Sequence, residues 1–238
     1  MKTSFLRRWS CAMLAALMSY GALAQTPALK AADGLWAYKV LQGGGKGEFI
    51  PLTGVILFKN GVIAQQSIYN GEPFEQQGAM AHAGTYAAGP MGIHMVTEQT
   101  ISISPDKPKP LSFRADMPHD ISAARSGDEL VIVFDSGTVQ KFSRIGPAKG
   151  DIYSLKNGVL AFVDGHFILV DGDENGAVSG YGKYRNTGTA YELDVIRWSE
   201  VKGSKAKNLK DTKLTATFDG KTFKLADGRA FNVIRPKK

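Results

Sequence analysis

Hydrophobic and polar positions alternate along much of the chain, with a period of two residues. The run 214–218 places leucine, alanine and phenylalanine on one side and two threonines on the other. Two shorter alternating runs, 222–225 and 230–233, follow the pairs Asp219-Gly220 and Asp227-Gly228. Alternation of this kind is typical of half-buried β-strands, and two-residue Asp-Gly turns are typical of hairpins. This part of the chain therefore predicts an antiparallel meander with one apolar face.

The same turn chemistry recurs through the chain and predicts an all-β fold. Asn-Gly and Asp-Gly pairs together occur nine times, and several of them separate runs rich in β-branched and aromatic residues. These pairs tolerate positive φ and close tight hairpins whose twist matches that of the strands. Signals for helices are confined to two short stretches, 27–32 and 120–125.

Three runs are apolar without alternation. They cover residues 130–134, 159–163 and 167–170. A strand that is apolar on both sides is buried on both faces. We therefore expect each of these three strands to be buried on both faces.

The chain also resembles itself in two halves. Gly54–Gly61 matches Gly158–Gly165, and Gly84–Tyr86 matches Gly182–Tyr184. Three further positions keep the same order, namely Asp128, Gly137 and Arg144 against Asp219, Gly228 and Arg235. Matched blocks in register indicate a duplicated unit. We predict unit 1 over residues 25–146 and unit 2 over residues 151–238, joined at 146–150.

Each unit has room for about eight short strands, which is the number that closes a small antiparallel barrel. The predicted fold is all-β, with two tandem antiparallel barrel units. The alternative is one large barrel that shares strands from both repeats.

The N-terminal residues have the pattern of a secretory signal peptide over 1–24. Lys2, Arg7 and Arg8 precede an apolar run, and Ala22-Leu23-Ala24 forms an A-x-A cleavage site. Cys11 is the single cysteine of the chain and lies in this leader. We therefore expect cleavage after Ala24, a periplasmic or secreted protein, and a mature chain without disulfides.

Charge and hydropathy narrow the class of function further. The formal net charge is +7, but three of the 29 basic residues and none of the 22 acidic ones lie in the first 24 positions. The remainder carries +4, spread along the chain, so a nucleic-acid partner is not expected. No other run approaches the roughly 18 apolar residues of a membrane-spanning helix, so we expect no transmembrane helix.

Several of these motifs resemble the lipocalin-like domains of the calycin group. The strand opening Gly34-Leu35-Trp36, the block Gly54–Phe58 and the triplet Gly84–Tyr86 carry the likeness, with Arg144 near the end of unit 1. The resemblance implies a barrel in which Trp36 packs under Arg144 and closes the floor. It also implies an apolar cavity for a small ligand.

From this reasoning we expect a binding protein for a small apolar or amphipathic molecule. The alternative is a cofactor-independent isomerase, cyclase or lyase on the same barrel, and a third class is an envelope module with filled barrels. No catalytic motif or metal-ligand spacing is recognisable, so catalytic residues stay unassigned, and no metal or cofactor is expected. Asp171–Gly176 has the oxygen spacing of a calcium loop at its start only. The oligomeric state is not indicated.

The ligand is expected in unit 1. Tyr86, His94 and Arg114 are the candidate polar contacts, and Trp36 is the candidate floor. Unit 2, with heavier apolar strands, is expected to be filled by its own side chains.

Overall fold

The computed structural model describes residues 27–45 and 47–234. The predicted signal peptide and Arg235 lie outside these residues. Within them, no helix has both the length and the apolar character needed to cross a membrane.

Barrel 1 is formed by the first nine strands. They are β1 (Gly34–Gln42), β2 (Ile50–Lys59), β3 (Val62–Tyr69), β4 (Ala79–Gly89), β5 (Gly92–Ile103), β6 (Leu111–Arg114), β7 (Met117–Ser126), β8 (Glu129–Phe134) and β9 (Val139–Gly146). Eight of them pair antiparallel in a closed ring, β1-β2-β3-β4-β5-β7-β8-β9, and β9 returns to β1. Strand β6 lies outside the ring and pairs with the end of β5.

Barrel 2 repeats this arrangement with the next nine strands. They are β10 (Gly150–Leu155), β11 (Gly158–Val163), β12 (His166–Asp173), β13 (Gly176–Asn186), β14 (Tyr191–Lys202), β15 (Lys205–Leu209), β16 (Thr212–Phe218), β17 (Thr222–Leu225) and β18 (Ala230–Asn232). Strand β15 pairs with β14 off the main path, as β6 does with β5. A bridge between Leu155 and Val233 brings the end of the chain back to β10 and nearly closes the ring.

The predicted fold class of two tandem antiparallel barrels is confirmed, and the alternative of a single large barrel is wrong. Each unit returns to its own first strand. The predicted helix at 27–32 is present. The helix considered at 120–125 is wrong, because these residues lie in β7 and pair with both β5 and β8.

Three apolar clusters hold the molecule together. One fills barrel 1 around Trp36, Phe58 and Phe142, and another fills barrel 2 around Phe167 and Trp198. The third lies between the barrels. It joins the outer faces of both and includes Val55, Leu57, Ala81, Ile101, Val159, Ala161, Ile168, Val170 and Tyr181.

This shared cluster explains the continuously apolar strands. Residues 159–163 and 167–170 are buried on both faces, because one face lines barrel 2 and the other packs on barrel 1. The same prediction for 130–134 is wrong. Leu130 and Ile132 point into barrel 1, whereas Val131 and Val133 on the outer face are only half-buried.

Side-chain hydrogen bonds link the two barrels across their interface. The Gln66 side-chain amide donates hydrogen bonds to the Ser179 carbonyl at 2.8 Å and to its hydroxyl at 2.9 Å. Asn208 of β15 donates to the carbonyls of Phe74 at 3.2 Å and Gln77 at 2.8 Å, in the β3–β4 loop. Both Gln66 and Asn208 are buried, and these bonds satisfy their side-chain N–H donors, which would otherwise be costly to bury.

Candidate functional site

One end of barrel 1 is closed by Trp36. Its indole is fully buried and donates a hydrogen bond of 2.7 Å to the carbonyl of Ala32, at the end of the short helix 27–32. The guanidinium carbons of Arg125 and Arg144 lie 5.5 and 5.9 Å from the centre of the Trp36 ring. Two cations against one aromatic face give a stable floor, as the resemblance implied for Trp36 and Arg144.

An aromatic pair completes this floor. Phe58 and Tyr86 meet edge to face with ring centres 5.2 Å apart. Barrel 2 has the same pair at the equivalent positions, where Phe162 and Tyr184 are 4.8 Å apart. Since both barrels use this pair, Tyr86 is part of the common structure of the floor.

Above the floor, the interior of barrel 1 is polar to a degree that its fold does not require. The polar side chains on inward-facing positions are Tyr38, Gln65, Ser67, His82, Thr97, Thr100, Ser102, His119 and Gln140. The Gln65 amide donates to the Tyr38 hydroxyl at 2.8 Å, and the Thr97 and Thr100 hydroxyls lie 2.7 Å apart.

The strand registers make each position of barrel 1 comparable with one of barrel 2. The counterparts of seven polar residues are apolar or glycine: Tyr38 becomes Leu155, Gln65 becomes Leu169, His82 becomes Gly180, Thr97 becomes Val195, Thr100 becomes Trp198, His119 becomes Leu214, and Gln140 becomes Phe231. The counterparts of Ser67 and Ser102 are the acids Asp171 and Glu200. At these seven positions the same fold is thus built once with apolar residues or glycine and once with polar residues. Barrel 2 shows that apolar residues can fill these positions in this fold, so packing does not require the polar residues of barrel 1.

Accessible surface inside barrel 1 agrees with this difference. His82, Thr100 and His119 point inward and yet are only half-buried. In barrel 2, Trp198 occupies the position of Thr100 and is fully buried. We conclude that barrel 1 keeps free space at the level where barrel 2 is filled by an indole.

The polar interior lies toward the end of barrel 1 opposite Trp36. A cavity of about 410 Å³ is found at this end, lined by Tyr69, the loop 70–78 and residues of the β5–β6 loop, among them Ser104 and Lys107. Tyr69 also packs against the inner core of the barrel. Tyr69 is therefore shared by this cavity and the inner core, and we refer to the cavity as the mouth.

Burial controls the protonation of the interior groups. It lowers the pKa of His82 to about 4, with the nearby His119 adding to the effect. Burial also lowers the pKa of His119, whereas Asp135 at the rim raises it. For Tyr38, burial and then Tyr69 raise the pKa well above 10. At neutral pH these changes keep His82 and Tyr38 uncharged.

Two buried atoms in this interior lack a hydrogen-bond partner. They are Oε1 of Gln140 and Nδ1 of His82. The ring centres of His82 and His119 are 6.5 Å apart, so the two imidazoles are neighbours without bonding each other directly.

The four residues predicted from the sequence are not brought together. Trp36 and Tyr86 lie in the floor. His94 faces outward and its Nδ1 is 2.9 Å from a carboxylate oxygen of Asp120. Arg114 is exposed on β6, where it lies directly opposite Thr100 of β5 near the mouth.

The residues that line the interior were missed by reasoning from motifs. Gln65, His82, His119 and Gln140 lie in no recognisable signature. Their signal is that inward positions of unit 1 are polar where the matched positions of unit 2 are apolar. A residue-by-residue comparison of the two repeats would have found it, given the correct register.

Barrel 2 has a cleft of about 500 Å³ at one end, lined among others by Asp171, Glu200, Asp227 and Arg229. Its charged groups are largely paired. Arg229 binds Glu200 at 2.5 Å and Asp227 at 2.6 Å, and its guanidinium carbon lies 5.4 Å from the Trp198 ring. The indole of Trp198 donates to Glu200 at 2.6 Å. These ion pairs and hydrogen bonds cover this end of the filled interior of barrel 2.

Asp171 is the exception in this cleft. Burial, with the nearby Asp173, raises its pKa to about 6. Among the residues that the structure describes, no group of three or more potential metal ligands is present, and the segment Asp171–Gly176 forms the hairpin between β12 and β13.

In comparisons with known proteins, no family model matches the sequence. No curated protein and no solved structure shows a significant match either. The antiparallel barrels are compatible with a lipocalin-like architecture, and membership of that family remains a proposal.

Proposed function

We propose that the protein binds a small amphipathic molecule inside barrel 1, entering through the mouth, while barrel 2 serves as a rigid support. The observation that carries this proposal is the contrast between equivalent interiors. The positions of Thr100 and His82 in barrel 1 hold Trp198 and Gly180 in barrel 2.

The chemistry of the interior fits an amphipathic ligand. Tyr38, His82, His119 and Gln140 offer hydrogen-bonding groups in the middle of the barrel. Apolar side chains surround them, among them Ile56, Met95, Ile132 and Phe142. A pocket with a few convergent polar groups in an apolar wall is the usual form of a small-molecule site.

The leader sequence supports a periplasmic or secreted location, and a lipocalin-like carrier is the family-level form of this proposal. In such a role the ligand would be collected and released without chemical change. The fold alone does not select this role, so it rests on the site.

The test is native mass spectrometry of the protein purified from the cells that make it. We expect a bound small molecule on the wild-type chain. The matched control is the double variant His82→Gly/Thr100→Trp, which copies the filling of barrel 2 into barrel 1. It should fold and carry no ligand. A ligand that survives in this variant, or a bare wild-type mass, would overturn the proposal.

A second candidate function is proton-transfer catalysis in the same interior. The observation that favours it is the pair of neighbouring imidazoles of His82 and His119, whose ring centres lie 6.5 Å apart. Burial lowers both pKa values, so the rings are neutral at neutral pH with free lone pairs, and burial also makes each ring a weaker base. His119→Gln should then abolish turnover of a bound substrate while leaving its affinity within about threefold of wild type. Turnover that is unchanged in this variant would exclude the role.

A further inference from the structure

The inward-facing positions of barrel 1 carry no charged side chain between the Trp36 floor and the mouth, among the residues described. At the floor, the two cations Arg125 and Arg144 lie against the Trp36 ring. The charged side chains at the mouth end, Glu72, Asp106, Lys107, Arg114 and Asp135, are all exposed. A charged ligand group placed in the middle of this interior would therefore have no buried counter-ion, and burying an unpaired charge is strongly unfavourable.

Two buried polar atoms in the same region lack hydrogen-bond partners. The Gln140 side chain lies within hydrogen-bonding reach of the Tyr38 hydroxyl, and its acceptor Oε1 is buried with no partner. Nδ1 of His82 is likewise buried and unpartnered. A buried polar atom without a partner costs about 1–3 kcal/mol, so a ligand that satisfies these atoms gains affinity over one that does not.

We infer that the ligand of barrel 1 carries an uncharged polar group with an N–H or O–H donor, such as an alcohol or a primary amide, attached to an apolar body. This inference rests on the proposed function and adds the class of ligand. The donor would bond Oε1 of Gln140, and the hydroxyl or carbonyl oxygen would face His82.

The alternatives are less favourable for separate reasons. A carboxylate offers acceptors only, which cannot bond the Gln140 oxygen, and it brings a charge without a partner. An ammonium group offers donors but also an unpaired charge. The lowered pKa of His82 means that its imidazole does not serve as a cation at neutral pH.

The experiment uses the mature protein and ligands that differ only in the head group. Octyl and dodecyl chains ending in alcohol, primary amide, carboxylate or ammonium are titrated at pH 7.5, and binding is followed by calorimetry. We expect the alcohol and the amide to bind at least about tenfold more tightly than either charged ligand. Gln140→Leu should remove roughly tenfold of the affinity for the amide while leaving the weak binding of the carboxylate unchanged.

The outcomes separate the inference from the function on which it rests. If a carboxylate or an ammonium ligand binds most tightly and the filled variant His82→Gly/Thr100→Trp abolishes that binding, the interior site stands and the uncharged ligand class is wrong. If no ligand of the series binds, or binding survives in the filled variant, the proposed function fails and the inference with it. Near-ultraviolet circular dichroism confirms that each variant remains folded.

Discussion

The indole of Trp198 lies directly against Gly180 of the neighbouring strand, inside barrel 2, so closely that a Cβ atom on Gly180 would overlap the ring. The absence of a side chain at one position thus makes room for the largest side chain at the next. In barrel 1 the same two positions hold His82 and Thr100, and neither fills the space. This pair is the main structural difference between a filled and an open interior.

We predict that Gly180→Ala destabilises the protein by about 1–3 kcal/mol, because the added methyl group displaces the packed indole. Urea unfolding measures this change. Trp198→Leu removes the indole that the added methyl group would contact. The double variant Gly180→Ala/Trp198→Leu should therefore lose less stability than the sum of the two single variants. Strict additivity would show that the two side chains do not compete for this space.

The lowered pKa of His82 predicts a dependence of stability on pH. The unfolded chain takes up a proton at this position near the ordinary pKa of 6.5, whereas the folded protein does so only near 4. Stability from this residue is therefore present above pH 6.5 and is lost as the pH falls toward 4. Once the pH lies below both pKa values, the loss amounts to about 3 kcal/mol.

The measurement compares free energies of unfolding at pH 7 and pH 4.5 for the wild type and His82→Gln. The variant cannot titrate, so it should lose about 2 kcal/mol less than the wild type over this interval. An equal loss in both proteins would mean that His82 is protonated normally in the folded state.

The raised pKa of Asp171 predicts a pH dependence of folding stability with the opposite sign to that of His82, over nearly the same pH interval. Its folded pKa of about 6 lies above the ordinary 3.8, so the folded protein binds this proton more tightly than the unfolded chain. The charged carboxylate therefore costs stability above pH 6, and the cost disappears as the pH falls below 3.8. Asp171→Asn should raise the free energy of unfolding at pH 7 by roughly 2 kcal/mol and have little effect near pH 4. Destabilisation by this variant at pH 7 would show that the carboxylate has a favourable partner.

The interface between the barrels predicts that a cut between them does not separate them. The linker itself is held, since the Ala148 amide donates to Asp164 at 2.7 Å and the Ala148 carbonyl accepts from Lys59 at 2.8 Å. A protein carrying an engineered protease site at 147–149 should elute after cleavage at the volume of the intact chain. Separation into two folded halves would show that the shared apolar cluster contributes little.

The architecture was predictable from the sequence because its signals are local. Alternation and turn pairs specify strands and hairpins, and the matched blocks of the two repeats fall in β2 with β11 and in β4 with β13. The two-sided burial of 159–163 was also visible in composition. The reason for it, a second barrel packed on the outside, depends on contacts between residues about 100 positions apart, as typical for non-local pairing.

The interior site was not predictable from motifs, and β5 shows why. The sequence separates His94, Val96 and Glu98 from Ile93, Met95 and Thr97, and the structure has the same two faces. It does not say which face points inward when both contain apolar residues. A bulge opposite Ala83–Thr85 then changes the parity, so Thr97 and Thr100 both face the interior although they are three positions apart.

The interface also bears on how the chain is made. Barrel 1 precedes barrel 2, so during synthesis the outer face of β2–β5 is complete before the strands that cover it exist. A chain that stops after residue 146 would present Val55, Leu57, Ala81 and Ile101 to solvent as one continuous apolar sheet face. Such a face favours self-association. The second barrel is thus a permanent cover supplied in the same molecule, and a premature stop codon in the second half would yield an aggregating product rather than a smaller working protein.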